Sequence, residues 1–178
     1  MCAKKKSPTR RSRMVRWEDP MIIVKAIPTM NGLDFLRAVK DGQIPTPPIA
    51  SLIGFRFTEV EAGRVVLEID PAEYHYNPTA AVHGGVTCAV LDSAATCAVH
   101  STLPAGMAPT TLEIKINYLR PIRRETGVMR CEGGLIYKGN RTVVAEAKMF
   151  DSTGLLHAYA VSTCLIFETA KDGARAEE

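Results

Sequence analysis

The sequence predicts an α+β domain in which a six-stranded antiparallel sheet wraps around one long buried helix. Three observations lead there. From Val86 to Val99 almost every residue is apolar or small, with Val90, Leu91, Ala94, Ala95 and Val99 among them. A helix that is apolar on every side is an interior helix, and this run is too short to cross a bilayer. The segments around it read as strands, and several are joined by turns as short as Ala62-Gly63 and Lys138-Gly139-Asn140. Short turns make antiparallel hairpins, not the crossovers of a doubly wound sheet. A length of 178 residues with 46% hydrophobic content suits one domain with a substantial core.

Each element follows from local pattern. Residues 1–20 open with Lys4, Lys5, Lys6, Arg10, Arg11, Arg13 and Arg16 and no acid before Glu18, which reads as a disordered basic tail. Residues 21–48 hold a helix and a linker. Asn31 to Asp41 is amphipathic, with Asn31 as N-cap, Leu33, Leu36 and Val39 on one face, and Gly42 as the stop. Ile44 to Pro48 is a proline-rich turn, and Ile49 to Leu52 leads into the first strand. The main domain spans 49–169. Its first hairpin joins Gly54–Glu61 to Arg64–Asp70. After the central helix, Pro104–Pro109 is a loop. Thr111–Leu119 then alternates, placing Leu112, Ile114, Ile116 and Tyr118 on a buried face and Glu113, Lys115 and Asn117 on the other. Thr126–Tyr137, Arg141–Phe150 and Leu155–Thr169 complete the sheet. Residues 170–178 form a second charged tail.

Charge and cysteines narrow the function. The net charge of +3 is concentrated in the tail, so the body does not read as a nucleic-acid binder. Tethering of RNA or anionic lipid by the tail alone remains an alternative. The five cysteines form no C-x-x-C and stand at no zinc-like spacing with histidine. No metal or other cofactor is expected. Reduced thiols, with neither a signal-peptide core nor a transmembrane run, point to a cytoplasmic protein away from membranes.

One residue breaks the pattern. Asp92 is the only charge in the most hydrophobic helix, behind a His83-Gly84-Gly85 that opens it. Carboxylates are seldom buried unless paired or functional. A structural hydrogen bond would also explain it, and a tight turn into the helix would use the same glycines.

The spacing Asn77…His83-Gly84-Gly85…Asp92, followed by a strand that begins Thr111-Leu112 and reaches Asn117-Tyr118-Leu119-Arg120-Pro121, resembles the hotdog-fold thioesterases, and more narrowly their phenylacetate-pathway (PaaI-like) branch. The resemblance covers residues 49–168. It implies the hotdog fold, hydrolysis of an acyl-CoA thioester to free acid and CoA, no metal, and a homodimer or a homotetramer built as a dimer of dimers. Carried over by position, Asn77 and the Gly84 amide bind the thioester oxygen. His83 orients its neighbours or contacts substrate near the sulfur. Asp92 is general base or nucleophile, and Thr111 assists the water.

The residues support that chemistry in their own right. Thioester hydrolysis needs donors for a developing oxyanion and an activated nucleophile. A helix N-terminus offers amides without intrahelical partners and a partial positive charge. Glycine at 84 and 85 lets a substrate approach the backbone. Ser93, beside Asp92, is assigned to substrate contact and lacks the G-x-S-x-G elbow of a serine hydrolase. Arg120, Arg123 and Lys138 are candidates for the CoA phosphates, although ordinary solvated charge explains them equally. Gly84 and Asp92 are eight residues apart, about 12 Å along a helix, too far for one protomer to bring both to the same carbonyl. Two such helices packed antiparallel across a twofold would bring each Asp92 to the other's Gly84. The partners expected are therefore acyl-CoA and a second copy of the chain. A hotdog hydratase or dehydratase and a non-catalytic acyl-CoA sensor remain the competing functions.

Overall fold

A seventeen-residue helix over Gly84–His100 is the axis of the structure, a computed structural model that describes residues 10–169. In chain order the elements are α1 (Met21–Ala26), α2 (Gly32–Lys40), α3 (Pro48–Ile53), β1 (Phe55–Glu61), β2 (Arg64–Ile69), α4 (Gly84–His100), β3 (Met107–Tyr118), β4 (Met129–Lys138), β5 (Thr142–Phe150) and β6 (Leu156–Glu168). The sheet runs β1-β2-β4-β5-β6-β3, and every pairing in it is antiparallel. This is the predicted architecture of six strands around one helix.

The helix is buried by complementary small residues. Val90, Leu91, Ala94, Ala95, Ala98 and Val99 of α4 are wholly inaccessible, as are Val65, Leu67, Met129, Cys131, Val143 and Ala145 on the strands. Each large aliphatic side chain so enclosed contributes about 2 kcal/mol. Gly133 of β4 lets the sheet come this close, since a Cβ there would collide with the Ala94 carbonyl. The opposite face of the sheet carries ion pairs, Arg56 with Glu68 and Asp70, and Glu59 with Arg64 and Arg130. Those hydrogen bonds, Arg130 first, lower the Glu59 pKa.

Three local expectations are corrected. Residues Ile49–Leu52 lie within α3 rather than leading into a strand; the prolines at 47 and 48 start a helix that Gly54 ends in the left-handed region at φ +94°. The region assigned as a loop to Pro109 already belongs to β3, where Pro109 is tolerated because β3 is an edge strand. The clean alternation of β3 is interrupted. A register shift between Thr111 and Glu113 makes Leu112 a bulge residue, so Leu112 is 60% exposed. Tyr118, also expected inside, is exposed at the other end.

Elsewhere the local chemistry is as read. Asn31 caps α2, its Oδ1 accepting from the Asp34 amide at 2.9 Å, and Phe35, Leu36 and Val39 are buried. Of the segments assigned as disordered tails, 1–9 and 170–178 lie outside the described residues. Residues 10–20 contain no helix or strand, but Arg13 is bonded to the end of α3.

Candidate active site

Six of the predicted site residues line two open cavities of about 370 Å3 each, one at the N-terminus of α4 and one beside its middle.

The first is built by a capped helix start. His83 is the N-cap of α4 with an extended backbone, and its Nδ1 accepts from the Gly85 amide at 2.9 Å. That bond makes Nδ1 the lone-pair nitrogen and Nε2 the protonated one. The His83 carbonyl accepts from Val86 and Thr87. Among the described residues, the Gly84 N–H is the leading amide with no protein acceptor, and it lies in the cavity. Asn77 faces the same space. Its Oδ1 accepts from the Thr79 amide (2.9 Å), the Thr79 hydroxyl (2.8 Å) and the Ala81 amide (3.2 Å). With the oxygen committed to this Asx turn, the side-chain NH2 is the group turned to other use. Arg120 lines the cavity too, one guanidinium nitrogen donating to the Leu156 carbonyl at 2.6 Å.

The second cavity contains Asp92. The Thr111 hydroxyl donates to Asp92 Oδ1 at 2.7 Å, and Thr96 Oγ1 stands 3.1 Å from Thr111 Oγ1. A carboxylate only accepts, so Thr111 spends its proton on Asp92 and Thr96 is left to donate to Thr111. The β3 bulge makes this contact possible. Across the bulge Thr111 lies on the helix side together with Ile114, Ile116 and Tyr118, a set that uninterrupted alternation would split. Pro47, Ile49, Phe55 and Phe57 give the cavity an apolar wall.

Placement of the predicted residues follows from this. Asp92 and Thr111 come together; Asn77, Gly84 and Arg120 come together; the two groups sit at separate points on α4. Gly85 has its amide committed to His83. Ser93 lines the Asp92 cavity with its hydroxyl donated to the Ala89 carbonyl at 2.7 Å, so its oxygen is held back along the helix. Arg123 is exposed on a turn, away from both cavities. Lys138 donates to the Thr102 carbonyl (2.9 Å) and hydroxyl (3.1 Å), beyond the opposite end of α4 from Gly84.

Sequence reasoning missed two contributors. Tyr118 donates to the Gly84 carbonyl at 3.0 Å and packs beside the spot where a Gly84 Cβ would be. Thr96 was one helical turn from Asp92, and that i, i+4 spacing was the available signal.

Other nucleophiles are disfavoured. Burial, reinforced by the Asp92 charge, pushes the Cys97 thiol up to about 12 and raises Cys88 as well. Such thiols stay protonated and weakly nucleophilic. Burial lowers His100 to about 4 and keeps it neutral. Among the described residues, no three His, Cys, Asp or Glu side chains are grouped to hold a metal ion. Nor is any described helix long and apolar enough to cross a membrane.

Comparison with known proteins agrees with the fold. The Thioesterase superfamily profile matches residues 80–158, which include both cavities' α4 residues. A Saccharolobus solfataricus protein named as a candidate esterase is 31% identical over 119 residues, spanning 67% of this chain and 77% of the relative. The 1,4-dihydroxy-2-naphthoyl-CoA hydrolase of Listeria monocytogenes is 28% identical over 114 residues, 64% of this chain and 89% of the relative. Among solved structures, a candidate thioesterase from Ralstonia eutropha, named as related to phenylacetic acid degradation, superposes with a TM-score of 0.67 at 27% identity, covering 72% of this chain and 97% of its own. With its six antiparallel strands around a helix that opens at His83-Gly84-Gly85, the chain belongs to the thioesterase superfamily and has the hotdog fold.

Proposed function

We propose that this protein hydrolyses an acyl-CoA thioester to free acid and CoA, in sites shared between two copies of the chain. The observation that carries the proposal is the separation of the two cavities. One offers donors, the Gly84 amide and the Asn77 amide group, suited to the negative charge that develops on a thioester oxygen. The other offers an acceptor, Asp92 with the Thr111 hydroxyl on it, suited to take a proton from water or to attack directly. Eight residues of helix keep them about 12 Å apart. A twofold that packs α4 antiparallel against its mate brings the donors of one protomer to the carboxylate of the other. The half-buried face of α4 that carries Asp92 and Ser93 is the surface such a packing would cover.

In this mechanism the thioester carbonyl lies on the Gly84 N–H and the Asn77 NH2. His83, its Nδ1 held by Gly85, turns Nε2–H outward to the substrate. Asp92 of the opposite protomer delivers the nucleophile, and Thr111, polarised by Thr96, holds the carboxylate in place. Arg120 stands at the mouth for a CoA phosphate. An acyl group with apolar bulk, aromatic groups included, suits the wall at Phe55 and Phe57, which pack edge-to-face at 6.4 Å.

The test is thiol release from a panel of aromatic and aliphatic acyl-CoAs. Wild type is expected to turn over at least one member, and Asp92→Asn to lose about a thousandfold in kcat with its fold intact. Mixing Asp92→Asn with Asn77→Ala under exchange conditions is expected to restore about a quarter of wild-type activity, since half the dimers are mixed and each has one intact site. An active Asp92→Asn variant, or a mixture no better than its parents, overturns the mechanism.

A further inference from the structure

The apolar wall opposite Asp92 comes partly from Pro47 and Ile49, at the start of α3. Six residues of helix cannot hold themselves in place by propensity. The structure shows what does. Both terminal nitrogens of Arg13 donate to carbonyls at the end of α3, Nη1 to Leu52 at 2.9 Å and Nη2 to Ser51 at 3.0 Å. The next carbonyl, of Ile53, is met by His75 Nε2 at 2.8 Å. The Ala72 amide donates to His75 Nδ1 at 3.2 Å, which makes Nε2 the protonated nitrogen and Ile53 its acceptor. Three successive carbonyls at a helix end are thus satisfied from outside, two of them by a cation that also suits the helix dipole.

The clasp is anchored in turn. The Arg13 guanidinium lies over the Tyr74 ring at 4.2 Å, Tyr74 packs edge-on against His75, and Arg11 pairs with Glu73. Residues 11–13 therefore grip α3 and the 73–75 turn together. That turn leads within two residues to Asn77, and the His75 carbonyl accepts from the His83 amide at 2.8 Å. One set of side chains ties the wall of the Asp92 cavity to the loop and cap of the donor cavity. All of it lies outside the residues matched by the superfamily profile, apart from His83.

We infer that Arg13 is a positioning residue for the acyl group: by clasping α3 it holds Pro47 and Ile49 where they bound the acyl cavity, so that it sets selectivity for bulky apolar acyl groups over small ones. This rests on the thioesterase reading above. Lysine cannot replace it fully, because a single ammonium lacks the planar fork that reaches two carbonyls while stacking on a ring.

The experiment compares the full chain with Arg13→Met, Arg13→Lys and Ile49→Ala. The substrates are acetyl-CoA and whichever of phenylacetyl-CoA and octanoyl-CoA the wild type hydrolyses faster. Amide hydrogen exchange over residues 51–54, read without substrate, reports on α3. Arg13→Met is expected to lower the bulky-to-acetyl ratio of kcat/KM about tenfold, through KM for the bulky ester, with kcat for acetyl-CoA within about twofold, and to speed exchange in α3. Arg13→Lys falls between. Ile49→Ala lowers the same ratio with exchange unchanged. A ratio that Arg13→Met leaves intact overturns the proposal, whether or not exchange quickens, and so does a ratio that Ile49→Ala leaves intact. Wild type inert toward all three esters overturns the thioesterase reading itself. That result stands apart from failure of the clasp, which the exchange rates report independently.

Discussion

The two ends of α4 are treated in opposite ways. At its N-terminus the Gly84 N–H is left without an acceptor among the described residues, Gly85 and His83 are exposed, and Asn77 turns an NH2 toward the same space. At its C-terminus the last four carbonyls, of Cys97, Ala98, Val99 and His100, all accept hydrogen bonds. Ser101 is buried, its hydroxyl donating to the Ala98 carbonyl at 2.7 Å and accepting from the Gly63 amide at 2.8 Å. The Gly32 amide donates to the Leu103 carbonyl at 3.0 Å, and the buried His100 ring lies 5.2 Å from Phe35. An unsatisfied donor destabilises a helix end unless something fills it, and a ligand can. On the mechanism proposed above, the difference teaches that one helix serves chemistry where its groups are left free and stability where they are paired.

The strongest test of that division is Gly84→Pro. Proline suits the first position of a helix and removes only an N–H that has no protein partner. The variant is expected to lose about a hundredfold in kcat, the effect of deleting one oxyanion donor, while its urea midpoint moves little. Its Cβ would also stand 3.3 Å from the Tyr118 ring and hydroxyl. Gly84→Ala adds the same Cβ and keeps the N–H, so its loss measures crowding alone. If the two variants lose equally, the amide is not a catalytic donor.

The closed end predicts a pH effect on stability with none on chemistry. Burial lowers His100 from 6.5 to about 4 in the folded protein. Between those values the unfolded chain binds the extra proton, so stability rises with pH, and acidification from 6.5 to 4 removes about 3 kcal/mol. Below 4 both states are protonated and the loss stops growing. Other groups, Glu59 and His75 included, act in the same direction, so the measurement is a difference. Urea unfolding at pH 7 and pH 4 is expected to show a steeper fall for wild type than for His100→Gln. Equal slopes would mean that His100 titrates as freely as in the unfolded chain.

Legibility in the sequence follows the same division. The helix, its His-Gly-Gly opening and Asp92 were readable because each is a contrast within a short window: small against bulky, charged against apolar. The six strands were readable from alternation and turn chemistry. The bulge at Leu112 was not, because one inserted residue leaves both flanking patterns intact and merely exchanges their faces. It turned Leu112 outward and Thr111 inward. Helix α3 escaped notice because five residues between Pro48 and Gly54, four of them apolar, carry no period. Arg13 looked like one more cation of a solvated tail, since its acceptors are backbone carbonyls almost forty residues away, and nothing in local sequence marks a carbonyl as unsatisfied. Groups that act within their own turn are legible, and groups that act across the fold are not.

The smallest effect is expected at Lys138. From charge alone it is a candidate for a CoA phosphate, yet its ammonium already donates twice to Thr102, just past the end of α4, where a cation also complements the helix dipole. Lys138→Met is therefore expected to cost about 1 kcal/mol of stability and to leave KM for acyl-CoA unchanged at low and high salt. A severalfold rise in KM that fades with added salt would instead place the ammonium on the substrate.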